Sequence, residues 1–381
     1  MISFNKPYLT GKELVYIKQA LQSRHISGNG DFTRKCESFF EQRYKFRKCL
    51  LTTSCTDALE MASILIDIKP GDEVIAPSYT FVSTINPFVL RGAKIRFVDS
   101  SAESPNVDIA QIESLISDKT KAIVVVHYAG IALDMDRIMD IANKHSILVI
   151  EDTAHCVDSY YKGKPLGGIG HLAAFSFHET KNIMSGEGGM LVINDERFVK
   201  RAEIVWEKGT NRAAFFRGEV NKYGWVDVGS SFLPSETTAA FLWAQIESLD
   251  KIQEKRKKLW NIYNKGLKKL GKKGKIKLPL LPEYSTNNAH MYYLVCNSLD
   301  ERTELVKHLK ENSIQSVFHY LSLHKSPYYA DKYEGKELPY TDKYSDCLLR
   351  LPMYYELKTA EIKLICEKIN EFYEKRDSVS A

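Results

Sequence analysis

The chain has 381 residues, of which 44% are hydrophobic and 27% charged, and its formal net charge is +5. The length exceeds one ordinary hydrophobic core and predicts two domains, and the composition is that of a soluble globular protein. The mild positive balance suits an anionic ligand and does not demand nucleic acid.

Met1-Ile2-Ser3-Phe4-Asn5-Lys6-Pro7 has no basic n-region and no apolar h-region, so no secretory signal is expected. No apolar run approaches the roughly 20 residues of a membrane-spanning helix, and the expected location is the cytoplasm, without a membrane partner. Seven cysteines (Cys36, Cys49, Cys55, Cys156, Cys296, Cys347, Cys366) are scattered and form no CxxC pair. Neither a disulfide framework nor a metal site is expected.

From about residue 50 to 200 strands alternate with helices. Lys48–Thr52 reads as a strand and 56–66 as a helix. Glu73–Pro77 is the next strand, followed by a helix over 83–90. A strand over 94–99 and a helix over 109–116 come next. The run 122–127 is so uniformly apolar that both its faces should be covered. A helix over 138–145 leads to a strand over 147–152. Continuous Val/Ile runs between helices imply a mainly parallel sheet with helical layers, whose active groups gather at the carboxyl ends of the strands. Residues 236–265 read as helical and leave the large domain. After Gly274 shorter elements restart, including strand 291–295 and helix 302–310. The predicted division is a large domain over 1–245 and a smaller C-terminal α/β domain over 246–381. The lysine-rich stretch 255–273 is interleaved with Leu259, Trp260, Ile262, Tyr263 and Leu267. It reads as the wet face of an amphipathic helix rather than a nucleic-acid patch.

The chemistry is concentrated at Phe175-Ser176-Phe177-His178-Glu179-Thr180-Lys181-Asn182, which runs into Gly186-Glu187-Gly188-Gly189. One lysine follows an apolar-aromatic strand and precedes a glycine-rich turn that lets backbone approach a ligand. Upstream, the strand ending in Glu151-Asp152 delivers a carboxylate. A lysine at one strand tip and an aspartate at another is what pyridoxal phosphate (PLP) requires. The amine forms the imine and the carboxylate keeps the pyridine nitrogen protonated. A partly desolvated lysine also has a lowered pKa, so Lys181 can attack and move protons. The bland alternatives are a lysine ending a core strand and an aspartate capping a turn. Thr53-Ser54-Cys55-Thr56 joins a strand to a helix, where small and hydroxylic residues cup phosphate. Ser and Thr there are also ordinary N-caps. Ser176 offers a further hydroxyl to the phosphate. Phe81 is a candidate to stack on the pyridine face, or a core phenylalanine. His155 is a candidate for the ring's phenolic oxygen, or a core histidine. Glu151 has no clear role beyond capping local backbone.

On these residues the chain resembles the DegT/DnrJ/EryC1/StrS sugar aminotransferases, along essentially its whole length. The resemblance also rests on Pro77-Ser78-Tyr79-Thr80-Phe81-Val82-Ser83-Thr84, Val126-His127-Tyr128-Ala129-Gly130, Glu207-Lys208-Gly209-Thr210-Asn211-Arg212, Gly229-Ser230-Ser231 and Phe318-His319-Tyr320. It implies an α/β fold, PLP-dependent transferase fold type I (aspartate aminotransferase-like). It assigns Lys181 as the Schiff-base lysine and Asp152 as the pyridinium partner. Cys55 and Thr56 match the phosphate pair, Ser176 the phosphate serine and Phe81 the stacking aromatic. It further implies a homodimer with shared active sites, in which Ser231 of one subunit completes the other's phosphate site. Tyr320 and His324 fall in the substrate-side segment. His155 stands where this family carries glutamine, and introduces a titratable group beside the ring.

The implied reaction moves the amino group of L-glutamate onto a nucleotide-linked 4-keto-6-deoxy sugar, most narrowly dTDP-4-dehydro-6-deoxy-D-glucose. Two alternatives stand beside it. One is a 3-keto transaminase or sugar dehydratase on the same fold. The other is a non-enzymatic regulatory protein. Lys181, Asp152 and the phosphate cup together favour the transaminase.

Overall fold

The structure, a computed structural model, describes residues 1–380. Helices α1 (Glu13–Gln22) and α2 (Asp31–Tyr44) precede the first strand, β1 (Lys48–Thr52). Then follow α3 (Cys55–Leu65), β2 (Glu73–Pro77), α4 (Asn86–Leu90), β3 (Lys94–Val98), α5 (Ile109–Ile112), β4 (Thr120–Val126), α6 (Met135–His145) and β5 (Leu148–Asp152). A two-residue hairpin, β6 (Tyr160–Tyr161) and β7 (Lys164–Pro165), leads to β8 (Leu172–Ser176), β9 (Gly189–Ile193), α7 (Glu196–Trp206), α8 (Arg212–Phe216) and α9 (Glu236–Ile246). The C-terminal part holds α10 (Leu249–Lys272), β10 (Tyr292–Val295), α11 (Leu299–Glu311), β11 (Val317–Phe318), α12 (Pro339–Cys347), β12 (Leu348–Leu351) and α13 (Thr359–Ser380).

Seven strands form one sheet in the order β1-β9-β8-β5-β4-β2-β3. β3, β2, β4, β5 and β8 pair in parallel, and only β9 runs against its neighbours. Alternate residues feed two apolar layers. Ile75, Ile123, Val149 and Ala173 face the core built with Phe40, Ile138 and Ala239. Val74, Val124, Ile150 and Ala174 face the core built with Leu59, Phe88 and Val205. Burial on both faces explains why these strands read as unbroken apolar runs.

Three expected helices are segmented. The helix expected over 83–90 is a 3-10 turn, Val82–Thr84, followed by α4. Pro87, in the first turn of α4, has no N–H to give a longer ladder. The turn carries Thr84 towards β5. The helix over 109–116 is likewise α5 plus a 3-10 turn. The helical stretch after 236 is two helices, with α10 reaching Lys272.

A second sheet, β10-β12-β11, is antiparallel throughout. It packs with α10, α11 and α13 around Tyr263, Leu267, Leu294, Leu305 and Ile365. Leu259, Trp260, Tyr263 and Leu267 are buried along α10, as its amphipathic reading requires. Arg256 departs from that wet face. It is buried, and its guanidinium donates to the carbonyls of Ala289 (3.0 Å), His290 (2.6 Å) and Met353 (3.4 Å). The first residues also join this unit: Ile2 bridges Ile314 and lies in the same core. All seven cysteines are free thiols. Among the described residues no helix is long and apolar enough to cross a membrane.

Candidate active site

A cavity of about 910 Å³ opens at the carboxyl ends of the large sheet's parallel strands, against the second sheet. Ser54, Cys55, Thr56, Phe81, Asp152, His155, Ser176, Lys181 and Tyr320 all line it. The fold therefore brings together nine of the eleven residues singled out in the sequence. Ser231 and His324 are the exceptions. Ser231 is exposed and bridged to Glu207, and it does not line this chain's cavity, although the carbonyl of the next residue, Phe232, accepts the Thr53 N–H beside the cup. The 3-10 turn Leu323–Lys325 points Leu323 into the cavity and His324 behind it. There Nδ1 of His324 meets Oγ of Ser78 at 2.8 Å and its ring packs on Tyr333. His324 is thus a support of the Ser78 turn, not a wall of this cavity.

The candidate phosphate cup follows from strand-to-helix geometry. Ser54 is the N-cap of α3 and its hydroxyl accepts from the Asp57 N–H at 3.1 Å. The N–H groups of Cys55 and Thr56 lie in the first turn, where a helix has no internal acceptor for them and its dipole favours an anion. The Thr56 hydroxyl meets Ser83 Oγ at 2.8 Å, which ties the cup to the turn carrying Thr84. A cysteine is compatible with such a cup, because backbone N–H groups rather than the side chain would hold the anion. The glycine that the cup does require is Gly189. A Cβ there would sit 2.3 Å from the Ser54 carbonyl and 2.4 Å from the Cys55 nitrogen.

Asp152 is buried at the end of β5. Oδ2 accepts from the Thr84 hydroxyl at 2.7 Å and Oδ1 from the Ala154 N–H at 3.1 Å. These bonds fix the carboxylate plane. Burial nevertheless raises its pKa, with the Thr84 hydrogen bond, the Ala154 N–H and the Lys181 charge opposing. Lys181 is half-buried, and desolvation lowers its pKa against the pull of Cys55 and Asp152. Among the described residues neither forms a salt bridge within 4.0 Å. A buried carboxylate without a cation and a desolvated amine without an anion fit a guest that supplies a protonated ring nitrogen and a carbonyl carbon. The N–H cup fits its phosphate.

The neighbouring residues have defined roles. Glu151 sits under the site and accepts from the N–H groups of Gly167 (2.9 Å), Ile169 (2.9 Å) and Gly170 (2.6 Å), and from His127 Nε2 (3.0 Å). Burial raises its pKa, but the His127 hydrogen bond and charge and these N–H groups outweigh burial and hold it low. Asn182 is buried and donates to Gln253 Oε1 (2.7 Å) and the Asn288 carbonyl (3.0 Å). Its oxygen meets His290 Nδ1 at 2.9 Å, so that nitrogen carries the proton. The residue after Lys181 is thereby clamped to the second unit.

His155 stacks on His290, with centroids 4.3 Å apart and planes 19° apart. Its Nδ1 accepts the Ala129 N–H at 3.3 Å, so its proton sits on Nε2. Nε2 lies 3.5 Å from the Tyr320 hydroxyl. Burial, Lys181 and Arg350 all push the His155 pKa well down. The titratable group expected from its replacing glutamine is therefore held neutral, as a single N–H donor facing the cavity. Tyr320 has φ +50 and its ring lies 3.5 Å from that of His319 and 6.2 Å from that of Phe81. A left-handed tyrosine costs about 1–3 kcal/mol and marks a side chain held in place by its surroundings.

Sequence reasoning missed Thr84, His290, His319 and Arg350, all of which line the cavity. Thr84 lay inside a quoted motif, but its direction depends on the 3-10 turn. Arg350 had a usable signal: it is the one charged residue in the apolar strand Leu348-Leu349-Arg350-Leu351.

Comparison with known proteins shows the family and the fold. GDP-perosamine synthase of Escherichia coli O157:H7 is 32% identical over 375 residues, 97% of each chain. The spore coat polysaccharide biosynthesis protein SpsC of Bacillus subtilis is 30% identical, covering 99% of this chain and 98% of its own. Among solved structures, the sugar aminotransferase candidate Spr1654 of Streptococcus pneumoniae in its PMP form superposes with a TM-score of 0.91 at 26% identity, covering 98% of this chain and all of that one. DesV of S. venezuelae, in complex with a ketimine intermediate, gives 0.89 at 26% identity over 97% and 98%. Residues 7–370 match the DegT/DnrJ/EryC1/StrS aminotransferase family. The chain belongs to that family and is a PLP-dependent sugar aminotransferase.

Proposed function

We propose that this enzyme transfers the amino group of L-glutamate to dTDP-4-dehydro-6-deoxy-D-glucose, giving dTDP-4-amino-4,6-dideoxy-D-galactose. The observation that carries the transaminase chemistry is the half-buried Lys181 in one cavity with the buried, hydroxyl-braced Asp152. The motifs around Lys181, Lys208–Arg212 and Phe318–Tyr320 support the finer substrate. When bound, PLP would supply the electron sink that stabilises the carbanion left when a proton leaves carbon. The α3 cup and Ser176 would hold its phosphate, Asp152 would pair with its ring nitrogen, His155 would offer its Nε2–H to the phenolic oxygen, and Phe81 would stack on the ring. Lys181, with its lowered pKa, moves the proton to and from the reacting carbons.

The test is a glutamate-dependent assay across nucleotide ketosugars, with the product identified by NMR. Nitrogen at carbon 4 of the dTDP sugar is the expected result. Nitrogen at carbon 3, or release of ammonia from the sugar, contradicts it. The 32% identity to a GDP-perosamine synthase supports a second reading, a GDP-linked substrate, which the same panel distinguishes.

The working unit in this reading is a cytoplasmic homodimer whose sites are shared. Ser231 lies outside its own chain's cavity, beside an outer segment with exposed Trp225, Val226 and Val228, a pattern that suits a subunit interface. Lys181→Ala and Ser231→Trp chains, each inactive alone, should regain activity when mixed and reassembled. No recovery would place the loop at its own chain's site. The division into a large domain over 1–245 and a small one over 246–381 is part of the same reading. It is supported by the two separate sheets, with Ile2 as a strap from the N-terminus onto the smaller unit.

A further inference from the structure

Lys181 and Asn182 lie in the loop between β8 and β9, and His155 lies in the loop after β5. Among the described residues no hydrogen bond runs from Lys181 or Asn182 to His155, and the two loops are joined here through the second unit instead. Asn182, Gln253, Asn288 and His290 are all buried. The Asn182 amide is saturated: its N–H groups go to Gln253 Oε1 (2.7 Å) and the Asn288 carbonyl (3.0 Å), and its oxygen meets His290 Nδ1 (2.9 Å). Asn288 closes the circuit. Its amide donates to the carbonyls of His155 (2.6 Å) and Val157 (2.9 Å), and its oxygen accepts the His290 N–H (3.0 Å). Gln253 donates to the Val157 carbonyl at 3.3 Å. A Cβ on Gly130 would sit 2.3 Å from Asn288 Oδ1 and 2.7 Å from the His155 carbonyl, so the circuit has no room to spare.

Only one proton arrangement satisfies these contacts. The Asn288 carbonyl can only accept, so Asn182 Nδ2 faces it and Asn182 Oδ1 faces His290. The imidazole proton of His290 is therefore spent on Asn182, and its Nε2 has none to give to a guest in the cavity. Burial, His155 and Lys181 lower the His290 pKa, so the ring is neutral. It stacks on the equally neutral ring of His155, which is fixed at its other edge by the Ala129 N–H. Resting on the transaminase reading, we propose that Asn182 and His290 are positioning residues: Asn182 holds the His290 ring, and that ring holds His155 where its Nε2–H meets the cofactor's phenolic oxygen. The residue beside Lys181 and the imidazole that faces the same cofactor thus share one support, built from the second unit.

The test uses the full chain, with and without PLP, as wild type, His290→Ala and Asn182→Ala, each also made in a His155→Gln background. Cofactor absorbance at fixed pH reports the hydrogen bond at the phenolic oxygen. Calorimetry of PLP added to the cofactor-free protein gives affinity, and urea melts give stability. Beside native His155, both substitutions should shift the absorbance and weaken PLP about 10-fold, the scale of one hydrogen bond. In the His155→Gln background they should change affinity by less than about twofold while costing the same stability in urea. Unshifted absorbance with unchanged affinity beside native His155 overturns the proposal, because a loss seen only in urea is packing alone. Equal shifts in both backgrounds also overturn it, because they do not pass through His155. If His290→Ala does not fold, His290→Asn, which keeps a donor for Asn182 but no ring to stack, carries the same comparison. A wild-type protein that takes up no PLP contradicts the transaminase reading itself, independently of His290.

Discussion

The two walls of the cavity are built on different principles. The large-sheet wall consists of strand ends and a helix start, and its groups lie close together in the sequence: Ser54-Cys55-Thr56, Asp152, and Ser176, His178, Thr180 and Lys181. Most are braced by hydroxyls or backbone N–H groups. The opposing wall comes from an antiparallel sheet and its loops, and draws His290, His319, Tyr320 and Arg350 from three distant segments. Its polar groups combine ring packing with single hydrogen bonds: His290 stacks on His155 and donates to Asn182, His319 stacks on Tyr320 and meets the Tyr128 hydroxyl, and Arg350 lies over Phe4 and donates to the Phe318 carbonyl. The first wall is suited to a fixed cofactor. The second leaves donors open for a substrate that must come and go.

Substitutions can break that contrast, beginning with the largest effect. Lys181→Ala should lower turnover by about 10³-fold or more, because in the proposed function it removes the group that moves the proton. Asp152→Asn keeps the shape but removes the charge, and should cost about 10²-fold or more in turnover while a cofactor still binds. Glu151→Ala touches no cavity atom. It strips a partner from buried His127 and from three loop N–H groups, so it should lower stability by about 3–5 kcal/mol, read in urea melts. Similar losses of activity and stability from Asp152→Asn would erase the distinction between the site and its support.

Glu37 gives a pH-dependent test away from the cavity. Burial pushes its carboxyl up to about 8, against the Leu51 N–H and the Lys48 charge, from an ordinary 4.5. The folded state therefore holds a proton that the unfolded chain releases. Its contribution is fully present below about pH 4.5 and is lost as pH rises through about 8, with a slope of up to about 1.4 kcal/mol per pH unit. Glu37→Gln should flatten that slope in denaturation midpoints measured from pH 5 to 9. The smallest expected effect is His155→Gln. Because His155 is a neutral donor on Nε2, glutamine can replace it, with turnover within about threefold and an unchanged pH profile. A shifted acid limb would show that the imidazole titrates during turnover.

The contrast also explains what the sequence could reveal. Parallel strands buried on both faces announce themselves as Val/Ile runs, and their ends fix Lys181, Asp152 and the cup in readable order. The bounds of β2 were legible for the same reason, and those of β1 from the apolar run Cys49-Leu50-Leu51. The small sheet's strands are two to four residues long, and a residue such as His290 acquires meaning only when Asn182 and His155 arrive from elsewhere. His324 misled because adjacency to Tyr320 does not fix direction across a 3-10 turn. Arg256 misled because three backbone carbonyls, contributed by distant loops, bury a charge within a lysine-rich run.

The central claim is that Lys181 is the residue to which the cofactor attaches. Reduction of the PLP-loaded protein with borohydride, followed by proteolysis and mass spectrometry, tests it directly. The account predicts a pyridoxyl mass on the peptide containing Lys181, absent from Lys181→Ala. A label on another lysine, or none in a protein that binds PLP, would contradict it.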